Sequence, residues 1–232
     1  MEVQQWLQEA KRIVVLTGAG MSTESGIPDF RSKEGRWRNI DPMTVATTEA
    51  YAYHYDLFYD FYRARIEALQ HVQPHIGHTI LADWQRNKNV FIATQNVDRL
   101  HQLAGATQVE ELHGTIRTAR CGRCEQPAPI DAFLRKEPCT CGGNLRPNVV
   151  LFGEALPSDA WDATMNAIEE ADVVLVIGTS LRVYPVNELP RMTRGKCVYM
   201  NMECEDDIAA SYAFDAVLEG KAGDLLTRLH AE

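Results

Sequence analysis

Four short apolar runs constrain the fold of this chain more than any other feature. Each is rich in β-branched residues, as strands buried on both faces of a parallel sheet are, and each is followed by polar or glycine residues. The runs cover residues 13–16, 90–94, 173–177 and 197–200. Helix-like stretches lie between them, including residues 76–86 and 158–170, and Ser158 or Asp159 is expected to cap the second stretch. This alternation predicts an α/β fold whose ligands bind beyond the carboxyl ends of the strands.

Two segments do not fit the alternation, and together they predict a smaller second domain. In the first, aromatic and aliphatic residues recur at helical spacing, namely Tyr55, Phe58, Tyr62, Ile66 and Leu69. The second has four cysteines, four prolines and two adjacent glycines, a composition typical of a small metal-stapled module. We therefore expect a large domain of residues 1–30, 74–114 and 148–232. The small domain combines a helical module, residues 31–73, with a zinc-binding module, residues 115–147.

The composition argues against several classes of protein. The chain has 232 residues, 45 % of them apolar, which is enough to bury a sizeable core. Its formal charge is −9 and it has no run of five or more Lys or Arg, so nucleic acid is not expected as a partner. Its longest apolar runs are far shorter than the roughly 20 residues of a membrane span. The N-terminal residues do not form a secretory signal, so we expect a protein of the reducing cytoplasm, and the sequence predicts no oligomeric state.

Four of the six cysteines lie close together in the second segment. They are Cys121 and Cys124, then, after fourteen residues, Cys139 and Cys141. Four thiolates at this spacing suit a tetrahedral zinc ion with no open position, which is a structural ion. The alternative is a set of reduced, buried cysteines without a metal. Cys197 and Cys204 are left over, and we interpret them as thiols in or near a strand.

The first apolar run continues into a glycine-rich segment. Glycines directly after a strand allow backbone N–H groups to approach a phosphate closely, and a following helix directs its positive end at the anion. The segment has Gly18 and Gly20, but Thr23 stands where the common dinucleotide fingerprint has its third glycine. No acidic residue clearly ends a second strand about 20 residues further on, as that fingerprint requires. A purely structural turn would use such glycines too, so both interpretations stay open.

Two other strand exits offer small polar groups that could hydrogen-bond a ribose or a phosphate. They are Gly178, Thr179 and Ser180 after the third run, and Asn201 after the fourth. In a doubly wound sheet these exits and the glycine-rich segment converge on one crevice. Ordinary turn chemistry is the alternative explanation for each of them.

The exit of the second run is the unusual one. It has Gln95, Asn96 and Asp98, whose burial near a core is unfavourable unless they bind something. Further along the chain, His113 stands next to Gly114. The near-neutral titration of histidine makes His113 the default base if it enters the same cleft, and a structural histidine otherwise.

These segments together resemble one known family. The string from Gly18 to Arg31 reads GAGMSTESGIPDFR, and TQNVD at 94–98, HG at 113–114 and GTS at 178–180 follow in order. In this combination the chain resembles the sirtuin family of NAD-dependent protein lysine deacylases, from about residue 10 to about residue 225. The resemblance implies a Rossmann-like large domain, a small domain built from a zinc module and a helical module, and an active cleft between them.

The resemblance also implies where NAD binds. The backbone at Gly18, Ala19 and Gly20 would hold the diphosphate, and Gln95 would contact the nicotinamide ribose. The adenosine half would lie against Thr179, Ser180, Asn201 and Ala222. The nicotinamide pocket would be lined by Ile27, Asp29, Asn96 and Asp98. A flexible loop with Phe30 and Arg31 would close over the cofactor, and the remaining expected cofactor contacts are Thr23, Val97 and Gly178.

The chemistry implied by the resemblance consumes NAD and moves no hydride. Cleavage of the nicotinamide glycosidic bond develops positive charge on the ribose, which Asn96 and Asp98 would stabilise. The acyl-lysine oxygen would attack the ribose C1′ to give an imidate-type intermediate. As general base, His113 would activate a ribose hydroxyl to attack that intermediate, a contribution of about 10²–10⁴-fold. The products would be free lysine, nicotinamide and O-acyl-ADP-ribose.

The zinc module departs from the family's commoner pattern at one point. Its second cysteine pair has one intervening residue instead of two. This difference bears on whether the zinc site is fully occupied and not on the fold. Because His113 precedes the module by only a few residues, loss of the metal would misplace the base.

Two further groups of residues resemble the family's substrate-binding elements. Ala46, Tyr62 and Arg65 resemble the signature of sirtuins that remove acidic acyl groups such as succinyl or malonyl, in which phenol and guanidinium bind a carboxylate. Alternatively, Tyr62 belongs to the hydrophobic core and Arg65 is solvated. The sequence does not decide between removal of acetyl groups and removal of succinyl or malonyl groups. An extended peptide would be clamped by strand addition between two segments. These are Val149, Phe152, Gly153 and Glu154 on one side, and Val183 and Tyr184 on the other.

Three other functions compete with this interpretation. Protein mono-ADP-ribosyl transfer shares the nicotinamide cleavage and differs in its acceptor. A short-chain dehydrogenase usually needs a Tyr-x-x-x-Lys pair, and none of the six lysines here has a tyrosine four residues before it. A catalytically idle zinc-containing scaffold is disfavoured by the presence of Asn96, Asp98 and His113.

Overall fold

A computed structural model describes residues 2–28, 41–204 and 206–230 of the chain. The strands, numbered along the chain, are β1 (Arg12–Thr17), β2 (Asn89–Thr94), β3 (Val109–Glu111), β4 (Gly114–Cys121), β5 (Pro127–Ala128), β6 (Leu145–Val149), β7 (Val173–Ile177), β8 (Lys196–Asn201) and β9 (Ala216–Glu219). The helices are α1 (Glu2–Glu9), α2 (Pro42–Val45), α3 (Thr48–Tyr53), α4 (Tyr55–Ala68), α5 (Ile76–Asn87), α6 (Leu100–Leu103), α7 (Ile130–Leu134), α8 (Ser158–Glu169), α9 (Asp206–Tyr212) and α10 (Ala222–His230). In addition, 3₁₀ helices cover Ala19–Ser25 and Val186–Met192.

The large sheet is parallel and has the strand order β3-β2-β1-β7-β8-β9 in the described part of the chain. The chain first adds β2 and β3 on one side of β1, and later adds β7, β8 and β9 on the other. The strand order therefore reverses between β1 and β7, and ligands of open parallel sheets bind at such a reversal. The predicted α/β fold with a parallel sheet is confirmed.

Alternate residues of the central strands face two separate hydrophobic layers. Val15 of β1 and Leu175 of β7 pack with α1, α5 and α10 on one face. Leu16 and Val176 pack with α8 and the 3₁₀ helix Val186–Met192 on the other face. Burial on both faces explains why these strands are continuously apolar in sequence.

The four predicted strands are all present, but the sheet also contains β3 and β9, which the sequence did not predict. Both are short, with three and four residues, and both lie at an edge of the sheet. Each contains glutamate and has no fully buried residue. An edge strand that stays partly in water lacks the apolar run by which the central strands were recognised.

The helices agree with the predicted stretches except for one cap. The predicted stretches 76–86 and 158–170 correspond to α5 and α8. The expected cap of α8 is wrong, because Pro157 occupies the N-cap position and makes no side-chain capping bond. Ser158 is already helical, and its hydroxyl lies 3.3 Å from a carboxylate oxygen of Asp159.

The small sheet joins the two inserted segments into one hydrophobic core. Strands β5, β4 and β6 pair antiparallel in that order, and α2 to α4 pack against them. Three tyrosine hydroxyls donate to backbone oxygens of the cysteine-containing segment. The pairs are Tyr51 with Asn144 at 3.0 Å, Tyr55 with Leu145 at 2.7 Å, and Tyr59 with Leu134 at 2.7 Å. The exact domain boundaries stay a prediction.

Among the described residues, no helix combines the length and the apolar character that crossing a membrane requires.

Two histidines lie inside the large domain beside the sheet. His78 of α5 and His101 of α6 are both buried, with ring centroids 4.9 Å apart. Burial, reinforced by the neighbouring histidines, lowers the pKa of His78 to about 2 and that of His101 to about 3. Both rings therefore stay neutral in the folded chain well below neutral pH.

We expect the free energy of unfolding to decrease as the pH falls below about 6.5, the ordinary pKa of histidine. The unfolded chain takes up protons at His78 and His101 that the folded chain does not, so each contributes a slope of about 1.4 kcal/mol per pH unit. Urea unfolding at a series of pH values between 5 and 7.5 measures this slope. A His78→Leu variant should show a slope smaller by the contribution of one histidine, about 1.4 kcal/mol per pH unit. An unchanged slope would contradict the conclusion that His78 is neutral in the folded chain.

Candidate active site

The exit loops of β1 and β7 lie in direct backbone contact at the strand-order reversal. Gly18 donates its N–H to Ile177 O at 3.0 Å, and Gly20 donates to Gly178 O at 2.8 Å. The exit of β2 joins them, because Gln95 donates its side-chain amide to Thr179 Oγ1 at 3.1 Å. The predicted residues of these three exits are therefore neighbours along one crevice.

The glycines of this crevice have a structural reason to be glycines. A Cβ added at Gly18 would lie 2.7 Å from Thr179 Cβ, and one at Gly20 would lie 2.8 Å from Gly178 Cα. Gly178 itself has a φ of +62°. Close packing of the two loops is thus sufficient to explain why these residues are glycines. The backbone at Ala19 and Gly20 is nevertheless only half-buried, so a ligand can reach it.

The element after the glycines is a 3₁₀ helix, Ala19–Ser25, and not a full α-helix. It begins after extended Gly18 and ends at Gly26, whose φ is +85°. The hydroxyl of Thr23 donates to Gly20 O at 3.0 Å, so this side chain stabilises its own turn. The loop therefore offers an anion its backbone N–H groups but no long helix dipole.

A hydrogen-bonded carboxylate and amide form the floor of the crevice. Asp98 is buried, and its carboxylate accepts from the Ser22 hydroxyl at 2.7 Å and from the Leu100 N–H at 2.9 Å. The Asn96 side-chain amide donates to Gly18 O at 2.9 Å and to Ser22 Oγ at 3.1 Å. Burial raises the pKa of Asp98 above its usual value, an effect that the bonds from Leu100 and Ser22 offset only in part. Sequence reasoning did not single out Ser22, although a hydroxyl within a glycine-rich string was a signal for such a role.

His113 lies at the seam between the two sheets. Its Nδ1 is 3.1 Å from Gln95 O, and a carbonyl oxygen can only accept, so Nδ1 carries the proton and Nε2 keeps a lone pair when the ring is neutral. Burial lowers the pKa of His113, against the opposing effect of the bond to Gln95. The residue is thus neutral at physiological pH and equipped to accept a proton.

Gly114 allows the chain to turn from His113 into β4. Its φ is +71°, and an added Cβ would lie only 2.1 Å from Asn148 O. On the other side, His113 O accepts the N–H of Val150 at 2.9 Å. The backbone of the histidine is therefore held between the start of β4 and the residue that follows β6.

Ala46, Tyr62 and Arg65 all belong to the helical insertion. Tyr62 is buried, with its ring centroid 4.6 Å from that of Phe58, so its assignment to the core is correct. Arg65 is not a solvated surface residue: burial lowers the pKa of its guanidinium, and the Tyr62 phenol and the Asp98 carboxylate raise it. Arg65 therefore lies within electrostatic range of the floor of the crevice.

The loop after β6 pairs with the start of the helical insertion. Phe152 donates its N–H to Ala46 O at 2.9 Å, and its carbonyl accepts from Thr48 N–H at 3.2 Å. The Phe152 side chain is 39 % exposed, and Gly153 has a φ of +97°. Both backbone groups of Phe152 are therefore paired within the protein, and it is the side chain of Phe152 that is exposed at the surface.

Glu154 has its carboxylate engaged within the protein. It accepts two bonds from the Arg146 guanidinium, at 2.5 and 2.8 Å, and one from the Leu151 N–H at 2.8 Å. Its side chain therefore shapes the loop and does not point freely to a peptide. Sequence reasoning missed Arg146, which is buried and also donates to Val149 O at 2.8 Å.

The exit of β8 is connected to that of β7 through a tyrosine. The Tyr199 hydroxyl donates to Thr179 O at 3.0 Å and accepts from the Asn201 amide at 2.9 Å. Ser180 is half-buried beside them, while Val183 is half-buried and Tyr184 is 79 % exposed. Sequence reasoning missed Tyr199, whose apolar neighbours concealed its polar function.

The remaining predicted cofactor residues differ in how they are placed. Ala222 begins α10, and the next N–H, of Gly223, donates to Glu24 Oε2 at 2.7 Å, which attaches this helix to the glycine-rich loop. Ile27 and Val97 are half-buried and pack against the core of the small domain. Asp29, Phe30 and Arg31 lie outside the described residues.

The four clustered cysteines fit a zinc ion. Their sulfur atoms all lie within 4.8 Å of one another, with Cys121 and Cys141 at 3.5 Å and Cys124 and Cys139 at 3.7 Å. Tetrahedral zinc with Zn–S bonds of about 2.3 Å holds its sulfur ligands about 3.8 Å apart. A single residue between Cys139 and Cys141 is therefore compatible with four-thiolate coordination.

Three comparisons relate this chain to known proteins. Residues 18–185 match the model described as the Sir2 family. The chain is 46 % identical over 241 residues to NAD-dependent protein deacetylase 1 of Geobacillus kaustophilus, a match covering 100 % of this chain and 98 % of the relative. It is 41 % identical over 206 residues to an NAD-dependent protein deacylase of Thermus thermophilus, covering 86 % and 81 %.

Solved structures give the same result for the fold. A structure described as a Sir2 homolog–NAD complex has a TM-score of 0.91 at 36 % identity, covering 99 % of this chain and 91 % of the other. One described as Sir2 bound to acetylated peptide has a TM-score of 0.86 at 33 % identity, covering 98 % and 95 %.

We expect the purified chain to contain one equivalent of zinc, measured by elemental analysis. A Cys141→Ser variant should lose most of this zinc and melt at a lower temperature, because a structural ion contributes directly to folding. Cys204→Ser is the control, since Cys204 lies beyond β8 and outside the cluster. Full zinc content in Cys141→Ser would show that this thiol is not a ligand.

Proposed function

Because this chain belongs to the Sir2 family, we propose that it is an NAD-dependent protein lysine deacylase. It consumes NAD and one water molecule, releases nicotinamide and free lysine, and transfers the acyl group from lysine to ADP-ribose. The observation that carries the proposal is the combination of a neutral, proton-accepting His113 with a buried amide and carboxylate at Asn96 and Asp98 in one crevice. The acylated lysine of a protein or peptide is the second substrate, as the acetylated peptide is for the solved relative.

NAD would lie along the exit loops of the parallel sheet. The backbone at Gly18, Ala19 and Gly20 would face the diphosphate, and Thr179, Ser180, Asn201 and Ala222 would face the adenosine half. Gln95, whose amide donates to Thr179, would contact the nicotinamide ribose. The remaining proposed contacts are Thr23, Ile27, Asp29, Phe30, Arg31, Val97 and Gly178.

Asn96 and Asp98 would favour loss of nicotinamide. NAD supplies a cationic leaving group, and positive charge develops on the ribose as its glycosidic bond breaks. The Asp98 carboxylate is held by Ser22 and Leu100, so it needs little rearrangement to act on that charge. Preorganised charges and dipoles in a site of low dielectric are usually the largest contribution to catalysis.

His113 would act as the general base. The bond from Nδ1 to Gln95 O leaves the lone pair of Nε2 unused by that carbonyl, so Nε2 is the atom that would accept the proton of a ribose hydroxyl. The pKa of the ring is lowered by burial, so the base is unprotonated at neutral pH.

The peptide would bind as an added strand between Val149–Glu154 and the segment at Val183 and Tyr184. Paired backbone groups give affinity in this mode of recognition, and side-chain pockets give selectivity. The exposure of Phe152 and Gly153 supports this placement, with the Phe152 side chain and the Gly153 backbone facing the peptide, because the Phe152 backbone is already paired with Ala46 and Thr48. Glu154 would act indirectly through the shape of the loop.

The acyl groups that the enzyme removes from lysine would include acidic ones. The electrostatic contact of Arg65 with Tyr62 supports a joint role of guanidinium and phenol in binding a succinyl or malonyl carboxylate. The small side chain of Ala46 would make room for the longer group. Acetyl-lysine lacks the carboxylate and would be accepted without using this contact.

The reaction is tested by incubating the protein with NAD and matched acetyl, succinyl and malonyl peptides. Mass spectrometry should show loss of the acyl group together with release of nicotinamide and O-acyl-ADP-ribose. A gain of ADP-ribose on the protein or peptide with the acyl group retained would instead indicate mono-ADP-ribosyl transfer. No nicotinamide release with any acyl peptide would refute both.

A His113→Ala variant should lose deacylation by about 10²–10⁴-fold, because general-base catalysis contributes this much. The circular dichroism spectrum and the zinc content should stay unchanged. The exposed His71, replaced by Ala, is the control for loss of a histidine. Wild-type turnover in the folded, zinc-replete His113→Ala variant would refute the assigned base.

Arg65→Met should reduce kcat/KM for a succinyl peptide much more than for the matched acetyl peptide. A buried or half-buried pair between guanidinium and carboxylate is worth several-fold to about a hundredfold in affinity. Arg63→Met on the same helix is the matched control, since Arg63 is exposed and pairs with Glu67. Equal losses on both peptides would remove the carboxylate-binding role.

A further inference from the structure

A group of histidines beneath the crevice has no role in the steps described so far. The rings of His75 and His78 have centroids 4.4 Å apart, and those of His78 and His101 are 4.9 Å apart. His78 and His101 are almost completely buried between the helices α5 and α6 and the central sheet. Such a group of polar rings inside a core requires a physical reason.

Packing alone does not provide that reason. In the part of the chain that the structure describes, neither ring nitrogen of His78 has a hydrogen-bond partner, and the same is true of His101 Nδ1. Burying a polar group without a partner is unfavourable, so an apolar side chain would fill this space at lower free energy. Among the described residues, the hydrogen bond that the His101 ring makes is between Nε2 and Thr17 Oγ1, at 3.0 Å, and it is therefore the informative contact.

This contact begins a continuous chain of hydrogen bonds that ends at the crevice. Thr17 and Thr94 are the last residues of β1 and β2 and lie opposite each other in the parallel register. The Thr17 hydroxyl donates to Thr94 Oγ1 at 2.8 Å, and Thr94 Oγ1 accepts the Asn96 N–H at 3.0 Å. Every link in this chain is buried.

The donor directions along the chain agree with a neutral histidine. Because the Thr17 hydroxyl gives its proton to Thr94, its oxygen is free to accept from His101 Nε2–H. This series of hydrogen bonds then fixes the backbone of Asn96, whose side-chain amide donates to Gly18 O and Ser22 Oγ. Ser22 in turn donates to Asp98.

We propose that His101 is a positioning residue for the nicotinamide end of the crevice: through Thr17 and Thr94 it holds Asn96, and with it the Ser22–Asp98 pair, in the orientation used for cleavage. The role attributed to this orientation rests on the proposed function. The hydrogen-bond chain itself can be tested independently of any activity.

Two matched pairs of variants separate positioning from packing. In His101→Gln the side-chain amide reaches the place of Nε2 and can still donate to Thr17, whereas His101→Asn ends near the place of Nδ1 and cannot. Thr17→Val removes the hydroxyl with little change of volume at the end of a strand, whereas Thr17→Ser keeps the hydroxyl. The Thr17 pair carries the test if a His101 variant does not fold.

The first measurement is steady-state deacylation together with exchange of labelled nicotinamide into NAD. His101→Asn and Thr17→Val should lower kcat and the exchange rate about tenfold or more, because small misplacements of reacting groups have effects of this size. The KM for the acyl peptide should not change. His101→Gln and Thr17→Ser should stay close to the wild-type rates.

The second measurement is the pair of side-chain amide proton signals of Asn96 in NMR spectra, identified by their loss in Asn96→Asp. These signals should shift in His101→Asn and Thr17→Val, and return to their wild-type positions in His101→Gln and Thr17→Ser. This readout needs no turnover. If the wild-type protein releases no nicotinamide, the proposed function fails, and the Asn96 signals still decide whether His101 positions the site.

Two results would overturn the proposal. The first is wild-type turnover and unshifted Asn96 signals in both His101→Asn and Thr17→Val. The second is an equal loss in His101→Gln and His101→Asn with no effect of Thr17→Val, which would mean that the ring serves only as packing.

Discussion

The close backbone contact between the exits of β1 and β7 is the constraint on which the rest of the site depends. Gly18 and Gly20 approach Gly178 so closely that a Cβ on any of them would collide with the opposite loop. The Gly18 carbonyl then serves as an anchor for the Asn96 amide. The side chains that form the floor of the crevice are thus anchored on the backbone of the β1 exit loop.

The cysteine-containing segment is connected to His113 along the chain and packs against the helical insertion. Only Gly114 separates His113 from the rest of β4, whose far end is Cys121. On the opposite face, the hydroxyls of Tyr51 and Tyr55 hold the same segment against the helical insertion. One strand, β4, thus connects the cysteines with His113, and one helix, α4, connects the segment with Arg65 through Tyr55.

The sequence predicts what depends on local pattern and misses what depends on distant partners. The central strands were recognisable because both their faces are buried, and the cysteines because their spacing is local. The edge strands β3 and β9 lack an apolar run, so they were not foreseen. Ser22 and Arg146 were missed because their acceptors are not apparent from the neighbouring sequence. Ser22 donates to the carboxylate of Asp98, which is 76 residues away. Arg146 donates to Glu154, which comes close only once the loop after β6 has folded.

The pairing of Phe152 with Ala46 ties two specificities to a single piece of backbone. Ala46 O accepts the Phe152 N–H, so the residue proposed to line the acyl pocket and the segment proposed to hold the peptide share one hydrogen bond. A larger residue at position 46 would displace both. If both proposed subsites are used, preference for the modification and preference for the surrounding peptide sequence are coupled through this bond, and a substitution that alters one is expected to retune the other.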